Sequence, residues 1–413
     1  MSKSNYLPSM DLVKRGQVYE LSYHKALATH SFFKYPARFI PEIPNWAIRN
    51  FTEEGDKVLD CFAGSGTSLV EASIMGRDPY GIDTDPLSNL LCRVKTRHIS
   101  KKEGQDLFQI LEKILNTRSK PLIPELVNLD HWFTNTNIKK LGEIKANINL
   151  FCSGNTKYRE LLLVAFASII RECSNADLQS PKPYVSRSYP RKAADPSKAF
   201  YKKVLSLLEV FNKPRFLTKS AKISGTDALK DDKKLHNKFD LVVSSPPYIN
   251  AFDYVRVLRL ENIWLNLLLE KDLNSLRKSQ VGSESIKAEV YNSELPVTGI
   301  KKLDISAKKI LKVDRKRAHV VVQYFKQMSQ NIELIHKFLK QKSHYICVVG
   351  NSDIAGIEVD VAKILIQIGM RNKFEIENHF SYLVKNPYLR IPRKGKGGLI
   401  KMDHILVMKK NEK

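Results

Sequence analysis

The stretch KVLDCFAGSGTSLVEASIMGRDPYGID, residues 57–83, decides the fold of this 413-residue chain. KVLDCF (57–62) is a short apolar run that ends in glycines, and TSLVEASIMG (67–76) has helical spacing with a glycine stop. DPYGID (78–83) is a second strand that closes on an acid. Strand, helix and strand in such close succession open an alternating β/α pattern, which implies a parallel sheet covered by helices on both faces.

Outward from that stretch, PLSNLLCRVKTRHI (86–99) reads as the next helix. Upstream, residues 18–52 contain HSFFKYPARFIPEIPNWAIRNF, an aromatic, proline-marked loop that runs into a helix. Alternation stops from 101 to 220, where EGQDLFQILEKILNT, YRELLLVAFASIIREC and FYKKVLSLLEVFNK read as helices joined by polar loops. One of those loops, SPKPYVSRSYPRKAADPSK (180–198), interleaves Arg187, Arg191 and Lys192 with Tyr184 and Tyr189. Strand signals return with AKISGTDA (221–228) and FDLVVSSPPY (239–248), followed by an irregular Lys-rich insertion over 270–317. The tail alternates again: helix YFKQMSQNIELIHKFL (324–339), strand HYICVVG (344–350) and helix EVDVAKILIQIG (358–369). Two last strands, FEIENHFSYLV (374–384) and DHILVMKK (403–410), are able to pair antiparallel. These elements predict an α/β fold: a doubly wound, mostly parallel seven-stranded sheet with a terminal antiparallel hairpin and helical insertions. The chain is expected to divide into a catalytic core (1–100), helical insertion (101–220), core (221–269), basic insertion (270–317) and core again (318–413).

The charge balance is far from neutral: 68 Lys and Arg against 43 Asp and Glu give a net charge of +25. That is the electrostatic footprint of a protein that holds a polyphosphate. No stretch of about 18 apolar residues suggests a membrane span, and the amino terminus MSKSNYLPSMDLVKRGQ lacks the apolar core of a secretion signal. Cys61, Cys92, Cys152, Cys173 and Cys347 form no CxxC pair and show no metal-ligand spacing. They are expected to be small buried hydrophobes in a reducing compartment, so no metal and a cytoplasmic location are expected.

Asp60 to Thr67 join a strand end to a helix start. Glycines there let the backbone turn tightly and approach a ligand. The helix amino terminus offers free N–H groups and a positive dipole end. Asp83, about 20 residues on, lies where an acid meets ribose hydroxyls. No third glycine completes the dinucleotide fingerprint, so the turn by itself fits either S-adenosylmethionine or a dinucleotide.

Ser245-Pro246-Pro247-Tyr248 follows the apolar strand FDLVVS. Two prolines remove two backbone donors and stiffen the turn, which leaves the preceding carbonyls free to accept. Ser245 adds a hydroxyl and Tyr248 a ring for stacking. Such a site grips a planar amine by its edge and its face. It suits transfer of an already activated methyl group, because alignment of nitrogen, carbon and sulfur is then the main task.

With both motifs in place, the sequence resembles the amino-specific DNA methyltransferases, which methylate N4 of cytosine or N6 of adenine. It is most like the N4-cytosine members that carry Ser-Pro-Pro-Tyr. The family's cofactor motif is similar to Phe62-Ala63-Gly64-Ser65-Gly66-Thr67, and its upstream proline segment to Lys34-Tyr35-Pro36-Ala37-Arg38-Phe39. Asp227, in SGTDA, falls where the family places an acid against the adenine amino group. The resemblance covers roughly 20–100, 220–265 and 320–410 and leaves out both insertions. It implies a Rossmann-like methyltransferase fold with S-adenosylmethionine as methyl donor. Cofactor binding is expected of Asp60, Phe62, Ala63, Gly64, Gly66, Thr67, Asp83, Asp227 and Pro36, and catalysis of Ser245, Pro246, Pro247 and Tyr248. The implied partners are double-stranded DNA, with the target base flipped out, and a cognate restriction endonuclease whose host sites the enzyme protects. Serine in the first tetrapeptide position goes mostly with N4-cytosine activity in this family, and Asp or Asn with N6-adenine. Carbon-5 chemistry, which uses a cysteine nucleophile usually set after proline, is not expected, since none of the five cysteines follows a proline.

Further expectations follow. Phe252 or Tyr254 is expected near the stacked base, and Arg390 to Lys396 form a basic loop that touches phosphate. Arg256, Arg259, Glu261 and Trp264 mark a packed helix. The 101–220 insertion is the candidate for target recognition, with the 270–317 segment and its Lys301-Lys302 and Lys308-Lys309 pairs as rival. Rival activities are an N6-adenine enzyme, an RNA methyltransferase, a protein-glutamine methyltransferase and a DNA-binding protein without turnover.

Overall fold

Nine strands form one sheet in the computed structural model, which describes residues 3–4, 7–21, 28–211, 217–249, 253–384 and 402–411. They are β1 (Lys3–Ser4), β2 (Val18–Leu21), β3 (Lys57–Asp60), β4 (Asp78–Ile82), β5 (Lys222–Ser224), β6 (Phe239–Ser244) and β7 (Leu339–Gly350). A separate two-stranded hairpin, β8 (Ser352–Ile354) with β9 (Ile357–Val359), precedes β10 (Phe374–Leu383) and β11 (Met402–Lys410). The order across the sheet is β1-β2-β10-β11-β7-β6-β3-β4-β5. From β3 the chain steps outward to β4 and β5, then returns to β6 on the other side of β3. That reversal is a topological switch point, where the carboxyl ends of β3 and β6 open a crevice. β11 runs antiparallel to both neighbours, β7 and β10, so the expected terminal hairpin is present and wedged into the sheet.

The unbroken apolar run of β6 reflects burial on both faces. Leu241 and Val243 join Ile43, Trp46, Ile346, Val348 and Ile405 on one side, against helix Glu42–Phe51. Val242 points the other way, with Tyr345, Cys347 and Leu406, against helices Arg315–Phe338 and Val361–Arg371. A third apolar cluster belongs to the helical layer. Helices Lys101–Asn116, Asn135–Phe151, Thr156–Ile170 and Pro196–Phe211 share it with helix Pro86–Lys95 and with Trp264 of helix Arg259–Trp264. Trp264 is wholly buried, as expected of a packed helix there.

Several elements depart from the sequence reading. β2 pairs parallel with β10 and β1 parallel with β2, which extends the sheet beyond seven strands. Helix Asn135–Phe151 was hidden by its buried polar residues. Asn147 spends its amide on the Ile114 and Thr117 carbonyls at 2.9 and 2.8 Å, and so fastens the preceding connection instead of facing water. The Lys-rich insertion is partly helical: Leu303, Ala307 and Ile310 give helix Lys301–Leu311 a buried face beneath exposed lysines. The helix expected from residue 324 begins at Arg315, capped by Asp314. Among the described residues, no helix is long and apolar enough to cross a membrane. All five cysteines are free and buried.

Candidate active site

β3 ends at buried Asp60, whose carboxylate accepts the Phe62 amide at 3.0 Å and the Ser68 hydroxyl at 2.7 Å. One side chain thus ties the strand end to the first turn of helix Thr67–Ile74, and burial pushes its carboxyl up to about 6. Gly64 and Gly66 both sit in the left-handed region, at φ of 48° and 74°. A Cβ on Gly66 would meet Cys92 Sγ at 3.0 Å and Cys92 Cα at 3.3 Å, so the turn tolerates no side chain there. Beneath it, fully buried Lys95 donates to the Ser65 carbonyl at 2.5 Å, and burial lowers its amine to about 7.

Asp83 closes the other side of the turn. Its carboxylate accepts the Gly64 amide and the Asp85 amide, each at 2.8 Å. These bonds use two of roughly four acceptor directions, leaving the others available. Burial, helped by neighbouring Asp85, pushes Asp83 up to about 7. Asn89 donates to the Asp83 carbonyl at 3.1 Å, while its own buried Oδ1 has no partner. The position of a Cβ on Gly225 lies 3.8 Å from Asn89 Nδ2, so the SGTDA segment reaches the same edge. Asp227 is half-buried there and accepts the Leu229 amide at 2.9 Å.

The upstream proline segment roofs this turn. The Tyr35 ring comes within 3.5 Å of the Cβ position of Gly64, and its hydroxyl lies 3.0 Å from Ser88 Oγ. Tyr35 stacks on Tyr254, with centroids 6.0 Å apart and planes at 23°. Pro36 is buried, and Arg38 donates to the His30 carbonyl at 2.6 Å.

The tetrapeptide leaves β6 directly beside the turn. Ser244 Oγ accepts the Cys61 amide at 3.3 Å, joining the two strand ends. Pro246 is buried, while Ser245, Pro247 and Tyr248 are half-buried. The Tyr248 hydroxyl donates to Asp403 Oδ1 at 2.9 Å, and Tyr382 donates to Oδ2 of the same carboxylate at 2.8 Å. Burial raises the Tyr248 phenol well above its usual range, and Asp403 facing it adds to the shift. The phenol is therefore a fixed donor, and its ring is held at one angle. On the far side, a Cβ on Gly282 would stand 3.7 Å from the Tyr248 carbonyl oxygen and 3.2 Å from the Tyr324 ring. The Lys-rich insertion thus reaches the motif.

The predicted residues Asp60 to Thr67, Asp83, Pro36 and Ser245 to Tyr248 accordingly meet at one crevice, and Asp227 lies at its β5 edge. Phe252 and the basic loop 390–396 lie outside the described residues, and Tyr254 stacks on Tyr35. Sequence reasoning missed Tyr35 as a roof, Lys95 beneath the turn, and the Asp403–Tyr382 pair. Only Tyr35 carried a signal, as a neighbour of Pro36.

The pattern of a DNA methylase family matches residues 3–87. Type II methyltransferase M.MvaI of Kocuria varians is 26% identical over 93% of this chain and 91% of its own length. The chain is thus similar to DNA methylases in its amino-terminal part and to type II methyltransferases over most of its length. Type II methyltransferase M.AvaI of a Nostoc species is 23% identical over 86% of this chain and 80% of its own. M.MjaII of Methanocaldococcus jannaschii is 36% identical, but over only 21% of this chain and 16% of itself. The family match holds the roof, the glycine turn and Asp83, and the tetrapeptide lies beyond it. Among the described residues no cluster of His, Cys, Asp or Glu is arranged to hold a metal.

Proposed function

We propose that this chain transfers the methyl group of S-adenosylmethionine to N4 of a cytosine flipped out of duplex DNA, as the modification enzyme of a restriction–modification system. The observation that carries the reading is the junction of the two motifs at the switch point. There the strand bearing Ser245-Pro246-Pro247-Tyr248 is bonded at 3.3 Å to the strand bearing the glycine turn. The type II methyltransferases that share most of their length with this chain support the role in DNA modification.

The crevice fits S-adenosylmethionine on its own chemistry. The first turn of helix Thr67–Ile74 offers N–H groups to a carboxylate. Asp83 keeps acceptor directions for ribose hydroxyls, and the orphaned Asn89 Oδ1 awaits a donor. Asp227 stands at the edge where an adenine amine would donate. When bound, S-adenosylmethionine supplies a methyl group already activated by the sulfonium. The chain's own residues do the rest. The Ser245 hydroxyl and the carbonyls ahead of the two prolines accept the N–H groups of the target amine. That turns its lone pair toward the methyl and favours the positive charge that develops on nitrogen. Tyr248, anchored through Asp403, packs against the face of the base. The nitrogen sheds its proton after transfer, so no strong base is needed beforehand. Serine at position 245, where Asp or Asn accompanies adenine enzymes, supports cytosine as the target.

Incubation of the purified protein with tritiated S-adenosylmethionine and either duplex DNA or bulk tRNA tests this reading. Label in DNA, recovered as N4-methylcytosine after digestion, is expected. It should disappear when Ser245, Pro246, Pro247 and Tyr248 are replaced by alanines, while cofactor affinity is kept. Label confined to tRNA would overturn the assignment of substrate.

A further inference from the structure

The loop spanning 176–194, in the helical layer, is braced with two guanidinium groups and yet leaves its aromatic rings outside. Arg171 donates to the carbonyls of Asp177, Ser180 and Pro181. Arg191 donates to those of Ala176, Arg171, Glu172 and Ser174. Asn137 closes the base of the loop through the Cys173 and Ala194 carbonyls, each at 2.9 Å. At the tip, the Tyr189 amide is fixed by Ser186 Oγ at 3.0 Å. A loop so thoroughly tied down has the means to tuck its aromatics under. Tyr189 is nevertheless 84% exposed and Tyr184 47% exposed, with Arg187 and Lys192 exposed beside them.

The place of the loop matters as much as its shape. Lys34 Nζ donates to the Leu178 carbonyl at 3.4 Å. Lys34 directly precedes Tyr35, the roof of the glycine turn, so the base of the loop borders the crevice. Both arginines that brace the loop are consumed internally, so the exposed cations are additional to its fold.

We infer that this loop enters the opened DNA duplex. Tyr189 stacks on a base face laid bare when its neighbour is extruded, and Arg187, Lys192 and Lys34 take phosphates of the flanking backbone. Duplex DNA fits on charge, since the chain carries +25 overall and the loop tip bears cations around the two rings. It fits on chemistry as well, because every base offers a face to an aromatic ring and flipping exposes such faces. Bracing removes much of the ordering cost that a flexible loop would bear on binding. The inference rests on the reading of DNA as substrate given above.

The full-length protein and its Y189A, Y189W and R187A/K192A variants test it. Methyl transfer to unmethylated bulk duplex DNA is measured beside S-adenosylmethionine affinity and melting temperature. Y189A should lose about tenfold or more in transfer, as expected when one base–aromatic stack is removed. Its cofactor affinity and melting temperature should stay at wild-type values, and Y189W should restore transfer. R187A/K192A should raise the KM for DNA and flatten its log–log salt dependence by about two units. Wild-type transfer by Y189A, or a loss matched by weaker cofactor binding or a lower melting temperature, would overturn the inference. If the unaltered protein labels no DNA at all, the reading of its substrate fails first and takes the loop with it, an outcome distinct from failure in the variants.

Discussion

Asp83 occupies a position that sets two demands against each other. Burial and Asp85 push its carboxyl up to about 7, yet the proposed hydrogen bonds from ribose hydroxyls are accepted best by the ionised form. On the proposed role, below pH 7 the carboxyl carries a proton whose loss favours cofactor binding; above pH 7 it does not. Affinity for S-adenosylmethionine is therefore expected to weaken as pH falls through 7, by up to about tenfold per unit, and to level off above it. Calorimetric titration from pH 6 to 8.5 measures this, and D83N should both weaken binding at pH 8 and abolish the slope. A slope that persists in D83N would contradict the assignment. Asp83 was legible in the sequence because strand, turn and second strand fix its distance from the glycines. Lys95 was not legible, because nothing in a helix ending Arg-Val-Lys says that its amine lies inward under Ser65.

At the scale of elements, the β10–β11 hairpin acts as a second support for the tetrapeptide. Register sets Tyr382 opposite Asp403 in the pair, so Tyr382 donates to one oxygen of that carboxylate and Tyr248 to the other. D403N keeps one oxygen acceptor but loses the symmetric grip on two phenols. It is expected to lower kcat by about ten- to a hundredfold, the scale of a small misplacement at a reacting centre. The KM for S-adenosylmethionine should stay near wild type, which steady-state kinetics can check, and an unchanged kcat would contradict the role given to Asp403. The hairpin itself could be read from two alternating apolar runs. Its chemistry could not, because Asp403 meets Tyr248 across 155 positions of sequence and no spacing rule spans that distance. Helix Asn135–Phe151 was illegible for a different reason, since its Asn137 and Asn147 are spent on backbone carbonyls within the layer.

At the scale of the molecule, the helical layer is continuous with the catalytic core. Leu87, Leu90 and Leu91 of the helix after β4, together with Val255, Leu260 and Trp264 after the tetrapeptide, are buried in the same cluster as Phe133, Phe166 and Phe200. Removing residues 101–211 and closing the chain would expose that apolar surface beside the crevice. The shortened chain is expected to be insoluble or to melt without cooperativity by circular dichroism. A soluble, cooperatively melting product would contradict this continuity. A milder change, F166A, should cost about 3–5 kcal/mol of stability in denaturant titration, as for a large ring removed from a packed core. The alternation of strands and helices made seven of the sheet's nine strands readable, while the short edge strands β1 and β2 lie outside that alternation. The insertions interrupt that alternation without altering strand order, so where they pack was not readable.

Modified-base mapping of genomic DNA from cells expressing this chain, beside cells expressing S245A, bears most directly on the central claim. The account predicts N4-methylcytosine at one short sequence motif with the intact protein and none with S245A. N6-methyladenine would contradict the choice of base. Unmodified DNA from cells making a protein that binds S-adenosylmethionine would contradict DNA as the substrate.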